Sequence, residues 1–300
     1  MTAHERAGAT AMVQLDRARS SLRGTRLHRE WRRLRSAVGS RRLRSELAGV
    51  ETYGVFLGHS RSGHSIVGAL LDAHPQIVVS DELDALALVS AGFTRDQVLY
   101  LSVLVARHQA SRQRQKQGRG GRTYSYRVPG QSQGRFDGLR VVGDSRAGWS
   151  TRRLFDDPDL FGRLEELMRP SVVKFIHVVR NPFDNISTMM IRGGRTQENA
   201  QAVYLGGCQR LVALRARIRA ERLMTLRHED LIEAPVERLR DACRFLGIEP
   251  SGEYLDACAG ILFASPSLSR TSVEWSAGRV AELEAAIARF DFLAGYHHAE

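Results

Sequence analysis

Cysteine is scarce: Cys208, Cys243 and Cys258 are the only three in 300 residues, widely spaced and without a CxxC pair. That number and spacing exclude a disulfide framework and a Cys/His metal site, and leave small core residues or free thiols. No uninterrupted apolar run of about 18 residues occurs, which excludes a bilayer-crossing helix. The first residues lack the apolar core of a signal peptide, so a soluble, cytoplasmic protein is expected. Lysine is almost missing, since only Lys116 and Lys174 occur, and arginine carries nearly all the positive charge.

That charge is unevenly spread. The net +11 is concentrated in residues 1–50, with 12 arginines against Glu5, Asp16, Glu30 and Glu46, and in residues 107–127, with six arginines, Lys116 and no acid. The rest of the chain is mildly acidic. The two basic stretches are read as solvated arms or as contacts to an anionic substrate, membrane surface or polymer. No nucleic-acid motif and no interleaving of aromatics with the basic residues points to DNA or RNA.

The length suits one α/β domain with extensions, and an apolar fraction of 43% is enough to build a full core. Residues 1–50 read as a basic extension, helical or partly disordered, with breaks near Gly24 and Gly39. Apolar runs at 53–58, 76–80, 139–143, 172–179 and 222–226 read as strands; the run at 172–179, apolar on both faces, fits the centre of a parallel sheet. Helical patterns fill 63–73, 84–110, 199–220 and 235–246. Strands alternating with helices predict a three-layer α/β fold, P-loop-like, with about five parallel strands between helices over residues 51–300. The Arg/Gln/Gly/Ser-rich stretch 113–138 reads as a loop, and residues 107–135 as a mobile basic insert over the acceptor side.

Between the first strand and its helix lies GHSRSGHS, residues 58–65. Its glycines are spaced as in a nucleotide-binding GxxxxGK[ST] loop, with His64 where lysine would stand. Such a turn aims backbone N–H groups and a helix dipole at one point, so an anion fits, and Arg61 can supply the cation. A purely structural turn is the alternative. At the end of the fourth strand, RNPFDNIST (residues 180–188) puts Arg180 at the carboxyl edge of the sheet, with Thr188 two helical turns on. Arg180 otherwise caps its own helix or pairs with Asp184.

These blocks resemble the PAPS-dependent sulfotransferases, whose first signature is G-x-P-[RK]-S-G-[TS]-[TS] with a helix ending near L-D-x-H-P, matched here by residues 58–65 and LDAHP at 71–75. The resemblance implies that Arg61, Ser62, Gly63, His64 and Ser65 wrap the 5′-phosphosulfate of PAPS, 3′-phosphoadenosine-5′-phosphosulfate. Ser60 and His64 depart from the pattern. The second signature, R-[DN]-P-x-D-x-x-x-[ST], carries over Arg180 and Thr188 as 3′-phosphate ligands, with Ser187 as neighbouring alternative. RHEDL at 227–231, Pro235 and RFLG at 244–247 resemble a structural Y-E-D-L…P…FLG stretch. Residues 269–275 resemble a C-terminal loop that folds over the donor, where Arg270 either contacts the 3′-phosphate or lies on the surface.

The second strand ends in Ser80-Asp81-Glu82-Leu83-Asp84, where crowded carboxylates suit a general base. In the branch that sulfates protein and glycan acceptors the base is a glutamate shortly after H-P, and that position falls on Glu82. His59 is the rival base, and helix capping by Asp81 and Glu82 the bland alternative. The family's lysine after the third strand is Ser145 here, leaving Arg146 to substitute. The implied activity is sulfuryl transfer from PAPS, without a metal, to a small-molecule, glycan or lipid-linked acceptor. Two other classes stay open: a P-loop kinase or NTPase, with Asp144 as magnesium ligand, and a non-catalytic nucleotide- or polyanion-binding relative.

Overall fold

The computed structural model describes residues 26–113, 115–117 and 123–299. In chain order, helices α1 (Arg26–Arg41) and α2 (Arg44–Ala48) precede β1 (Thr52–Gly58), α3 (His64–Leu71) and β2 (Ile77–Ser80). Next come α4 (Ala85–Ser90), α5 (Arg95–Ser111), a small hairpin β3 (Gln115–Gln117) and β4 (Thr123–Ser125), and β5 (Val141–Asp144). Helices α6 (Ala147–Asp156) and α7 (Asp159–Met168) lead to β6 (Val172–Val179), α8 (Pro182–Gly193), α9 (Gln197–Arg215) and β7 (Leu223–Arg227). Helices α10 (His228–Glu233), α11 (Pro235–Leu246), α12 (Gly252–Ala259) and α13 (Ala277–Ile287) close the chain.

The main sheet has the order β2-β5-β1-β6-β7, and every pairing in it is parallel. Because strand side chains alternate, Val55, Val78, Val142 and Phe175 pack on one face with α4, α5 and α7. Phe56, Val79, Val141 and Ile176 pack on the other with α3, α11 and α12. Both faces are covered, so the strands read as continuous apolar runs, and the expected three-layer α/β fold with five parallel strands is what forms. No helix among the described residues is long and apolar enough to cross a membrane.

Three sequence expectations change. The helix expected over 84–110 is two, because Gly92 turns at φ 74 and Thr94 starts α5 with a capping box closed by Gln97. The break expected at Gly39 is absent: α1 runs through it, and a Cβ there would fall 2.1 Å from the Tyr100 ring, so glycine allows α1 to lie against α5. The break near Gly24 lies outside the described residues. The stretch expected as a loop at 113–138 carries the antiparallel β3–β4 pair. Beyond it, Gln133 donates to the carbonyls of Ala69 and Tyr126, and Gly134 N–H to Asp72, which ties this half of the insert to α3. Residues 114 and 118–122 of the insert lie outside the described residues.

Gly54 of β1 faces Gly143 of β5 in register. A Cβ at 143 would come within 2.8 Å of the Gly54 carbonyl oxygen, whereas one at 54 would meet nothing closer than 3.8 Å. Gly143→Ala is therefore expected to cost about 1–3 kcal/mol in denaturant unfolding, the range for overpacking, and Gly54→Ala far less. Equal losses in the two variants would contradict this account of the β1–β5 seam.

Candidate active site

The carboxyl ends of the five strands converge on one edge, where open parallel sheets place ligands. Loop 58–65 leaves β1 through three residues in the left-handed region: Gly58 (φ 130), Arg61 (φ 72) and Gly63 (φ 93). A Cβ at Gly58 would sit 2.6 Å from the Val178 carbonyl oxygen, and one at Gly63 would sit 2.4 Å from His228 Nδ1. These glycines let the loop lie flat against β6 and under the His228 ring. Thr151 of α6 closes the loop base, accepting from Gly58 N–H at 3.0 Å. The Ser62 hydroxyl is buried and has no hydrogen-bond partner in the protein, as a cradle awaiting an anionic ligand would leave it. Gly63 caps α3, with His64 and Ser65 half-buried in its first turn and Arg61 exposed.

His59 is not placed to act as a base. It is buried, its Nε2 lies 2.9 Å from the Tyr204 carbonyl, and its ring stacks on Tyr204 at 4.1 Å. Gly207, one turn along α9, makes room: a Cβ there would come within 2.5 Å of Nε2. Burial pushes the imidazole pKa down to about 4, so the neutral ring donates to the carbonyl and tethers the loop to α9.

Arg180 follows β6 and is 8% exposed. Its Nη1 donates to the Arg61 carbonyl and Thr188 Oγ1, both at 3.3 Å; its Nη2 donates to the Ser267 carbonyl at 2.6 Å and Ser269 Oγ at 3.3 Å. Every one of these partners is a neutral oxygen, and Nε is buried without a partner. Burial lowers its pKa from the usual arginine range, opposed by the fields of Asp184 and Glu229. The Asp184 carboxylate is taken by Arg270, through the backbone N–H at 2.9 Å and Nη1 at 2.7 Å. So the Arg180–Asp184 pair considered from sequence does not form as a hydrogen-bonded contact, and Arg270 is a buried, ion-paired residue beside Arg180 rather than a surface one. The Ser187 hydroxyl accepts from Trp275 Nε1 at 3.1 Å, so Thr188 is the hydroxyl brought to Arg180.

The three carboxylates after β2 have different surroundings. Asp81 is buried, and its Oδ1 accepts from Ser65 at 3.3 Å and Ser145 at 3.2 Å. Asp84 is held by both arms of the Arg153 fork at 2.7 Å. Glu82 is exposed between them; it and Asp84 both have left-handed backbones, with φ 64 and 63. Neither Asp81 nor Glu82 caps α4. That work falls to Asp144, whose carboxylate accepts from Leu83 N at 3.3 Å, Ala85 N at 2.9 Å and Ser80 Oγ at 3.1 Å. Burial nevertheless pushes Asp144 up to about 6. With both oxygens on backbone N–H groups, Asp144 is not disposed as a magnesium ligand. Arg146 turns to Asp84 at 3.6 Å and to Trp149, so Ser145, hydrogen-bonded to Asp81, holds the place of the expected lysine.

Sequence reasoning missed Ser269 and His228. Ser269 begins the stretch that the resemblance laid over the donor but was not singled out there; it lies 3.0 Å from Thr188 Oγ1, 81 positions away along the chain. His228 had a signal, since it stands at the tyrosine position of the Y-E-D-L-like stretch, but its contact with Gly63 is tertiary.

Residues 55–251 match the model of the Sulfotransferase family, and the chain belongs to that family. The sulfotransferase domain of the Synechococcus PCC 7002 olefin synthase has the same fold at 16% identity, with a TM-score of 0.50 over 80% of this chain and 94% of that one. Sulfotransferase STF1 from Mycobacterium tuberculosis H37Rv is 14% identical, with a TM-score of 0.46 over 85% of this chain and 81% of that one. Mouse sulfotransferase SULT7A1 complexed with PAP is 12% identical, with a TM-score of 0.37 over 79% and 74%. No curated protein matches the chain.

His59 and His228 are both held to about 4, chiefly by burial, against 6.5 for a free imidazole. The unfolded chain therefore binds more protons than the folded one between those values, and stability falls as pH drops through that window. Asp144 acts in the opposite direction, taking up its proton earlier in the folded chain. The melting temperature is expected to fall between pH 7 and 4.5, and the fall to be shallower in His59→Gln, whose amide can still donate to Tyr204. A slope unchanged by that substitution would contradict the neutral, tethering His59.

Proposed function

We propose that the protein transfers a sulfuryl group from PAPS to a hydroxyl or amine of its acceptor and releases PAP, 3′-phosphoadenosine-5′-phosphate. The observation that carries this reading is Arg180: a buried guanidinium with a partnerless Nε and only neutral oxygens on its other nitrogens. Burying a cation without an anion is expensive, and a phosphate beside Arg180, Thr188 and Ser269, with Arg270 behind, would supply the missing charge. That phosphate is assigned as the donor's 3′-phosphate.

The 5′-phosphosulfate is assigned to loop 58–65, on the backbone N–H groups of residues 61–65 and the free Ser62 hydroxyl, with Arg61 as cation. The acceptor oxygen attacks sulfur in line; the bond from sulfur to the bridging oxygen breaks, and its electron pair leaves with PAP. Glu82 takes the acceptor proton. The sulfuryl group bears less charge than a phosphoryl group, so fixed donors and guanidinium groups can hold the charge that develops on the leaving phosphate. A glutamate at 82 supports reading the chain with the branch acting on protein and glycan acceptors, through its resemblance to that branch's base position. Residues 1–50 are read as a basic extension outside this chemistry, whose charge suits a peripheral anionic surface.

PAP at about 100 times its Kd should stabilise the protein by about 2.7 kcal/mol in a thermal-shift comparison, and AMP, ADP or ATP with magnesium should not. Arg180→Ala should weaken PAP by at least about 30-fold, the consequence of truncating a buried charged contact. Stabilisation by ATP with magnesium in place of PAP would replace this reading with a kinase. Glu82→Gln should lower kcat by about 10²–10⁴ and leave PAP binding unchanged; full activity in that variant would remove Glu82 from the mechanism.

A further inference from the structure

The first turn of α6 carries a feature that donor binding and proton transfer leave unused. Trp149 is 44% exposed, and the guanidinium carbons of Arg146, Arg152 and Arg153 lie 5.3, 5.7 and 5.7 Å from its ring. An indole at the surface offers a flat apolar face, and cations around it enrich both its own electrostatics and the local positive field. The three arginines are not equally neutralised. Arg153 spends its whole fork on Asp84, Arg146 reaches the same carboxylate only at 3.6 Å, and Arg152 has an exposed partner, Asp156, one turn on. Arg146, whose contact with Asp84 is long, and Arg152, whose exposed pair on the helix surface is weak and easily exchanged, therefore keep capacity for a further anion.

Location makes this an acceptor question. Gly148 lies against the phosphate loop, where a Cβ would come within 3.0 Å of Ser60 Oγ. Asp84, held by Arg153 and approached by Arg146, is two residues past Glu82. Trp149 thus stands on the strip of surface between the loop and the Glu82 turn, where an acceptor must lie to reach both. A steroid or lipid acceptor needs an enclosed apolar cavity, whereas both Glu82 and Trp149 are open to water.

We propose that Trp149, with Arg146 and Arg152, binds the acceptor, and that the acceptor is a saccharide bearing a carboxylate, its ring stacked on the indole and its acid on the guanidinium groups. This rests on the sulfuryl-transfer reading above for what is done to the bound sugar, not for the binding itself. The test is titration calorimetry at low salt with phenyl β-D-glucuronide and phenyl β-D-glucoside, which differ only in the carboxylate. The glucuronide should bind about fivefold tighter, Arg152→Gln should erase most of that difference, and Trp149→Ala should weaken both ligands about fivefold, with Trp149→Phe restoring most of the loss. Equal binding of the two glycosides, unchanged binding in Trp149→Ala, or no binding of either at millimolar concentration would each overturn the proposal. The thermal shift with PAP is measured on the same samples: its persistence in every variant confines a negative result to the acceptor, and its absence from the wild-type protein refutes the donor reading instead.

Discussion

The guanidinium of Arg180 is the point at which four distant segments meet. It leaves the end of the central strand β6 and holds the Arg61 carbonyl of loop 58–65, Thr188 of α8, and the Ser267 carbonyl and Ser269 of the C-terminal stretch. A cation in that position carries a desolvation cost that neutral oxygens offset only in part. Asp184, the carboxylate whose field acts on it most strongly, is bonded to Arg270, which leaves Arg180 without a hydrogen-bonded anion while fixing the walls around it. The protein's own contacts orient the guanidinium, and on the proposed function an incoming anion completes it, which would favour a phosphate over a neutral ligand.

The rest of the edge is braced around that point. Glycines at 58 and 63 let the loop approach β6 and His228, while His59 anchors it to α9 through a neutral imidazole. On the other side of the loop, Glu82 and Asp84 occupy backbone conformations that disfavour side-chain-bearing residues by roughly 1 kcal/mol or more each. Asp144 accepts the backbone N–H groups of Leu83 and Ala85, and Arg153 grips Asp84, so the turn is held in this shape with Glu82 at its exposed tip. A strained turn, over-determined by a buried carboxylate and an ion pair, is a means of fixing one exposed glutamate in place.

Much of the fold could be read from the chain because the physics behind it is local. Four buried strands and the half-buried β7 show as largely apolar runs, and Gly58, Gly63 and Pro182 mark the turns that open helices α3 and α8. The spacing from Arg180 to Thr188 is helical geometry, and the structure brings the two side chains within 3.3 Å. What was not legible depends on distance in sequence. Nothing near Asp144 announces that it caps α4 across 59 positions, and nothing near His59 announces Gly207 of α9. The break at Gly92–Thr94 had a signal, the T-x-x-Q capping box, that a continuous apolar pattern concealed. Gly39 reads as a break but serves a close helix crossing, a use of glycine that depends on Tyr100.

The central claim is that Arg180 awaits an anion, and the most direct test watches its Nε–H group. In ¹H–¹⁵N spectra of the arginine side chains, with the Arg180 resonance assigned by its disappearance in Arg180→Lys, PAP should shift that signal strongly and protect it from exchange with water. AMP, which lacks the 3′-phosphate, should leave it close to its position in the free protein. An Arg180 signal that responds equally to PAP and AMP, or to neither, would contradict the assignment of this guanidinium to the 3′-phosphate.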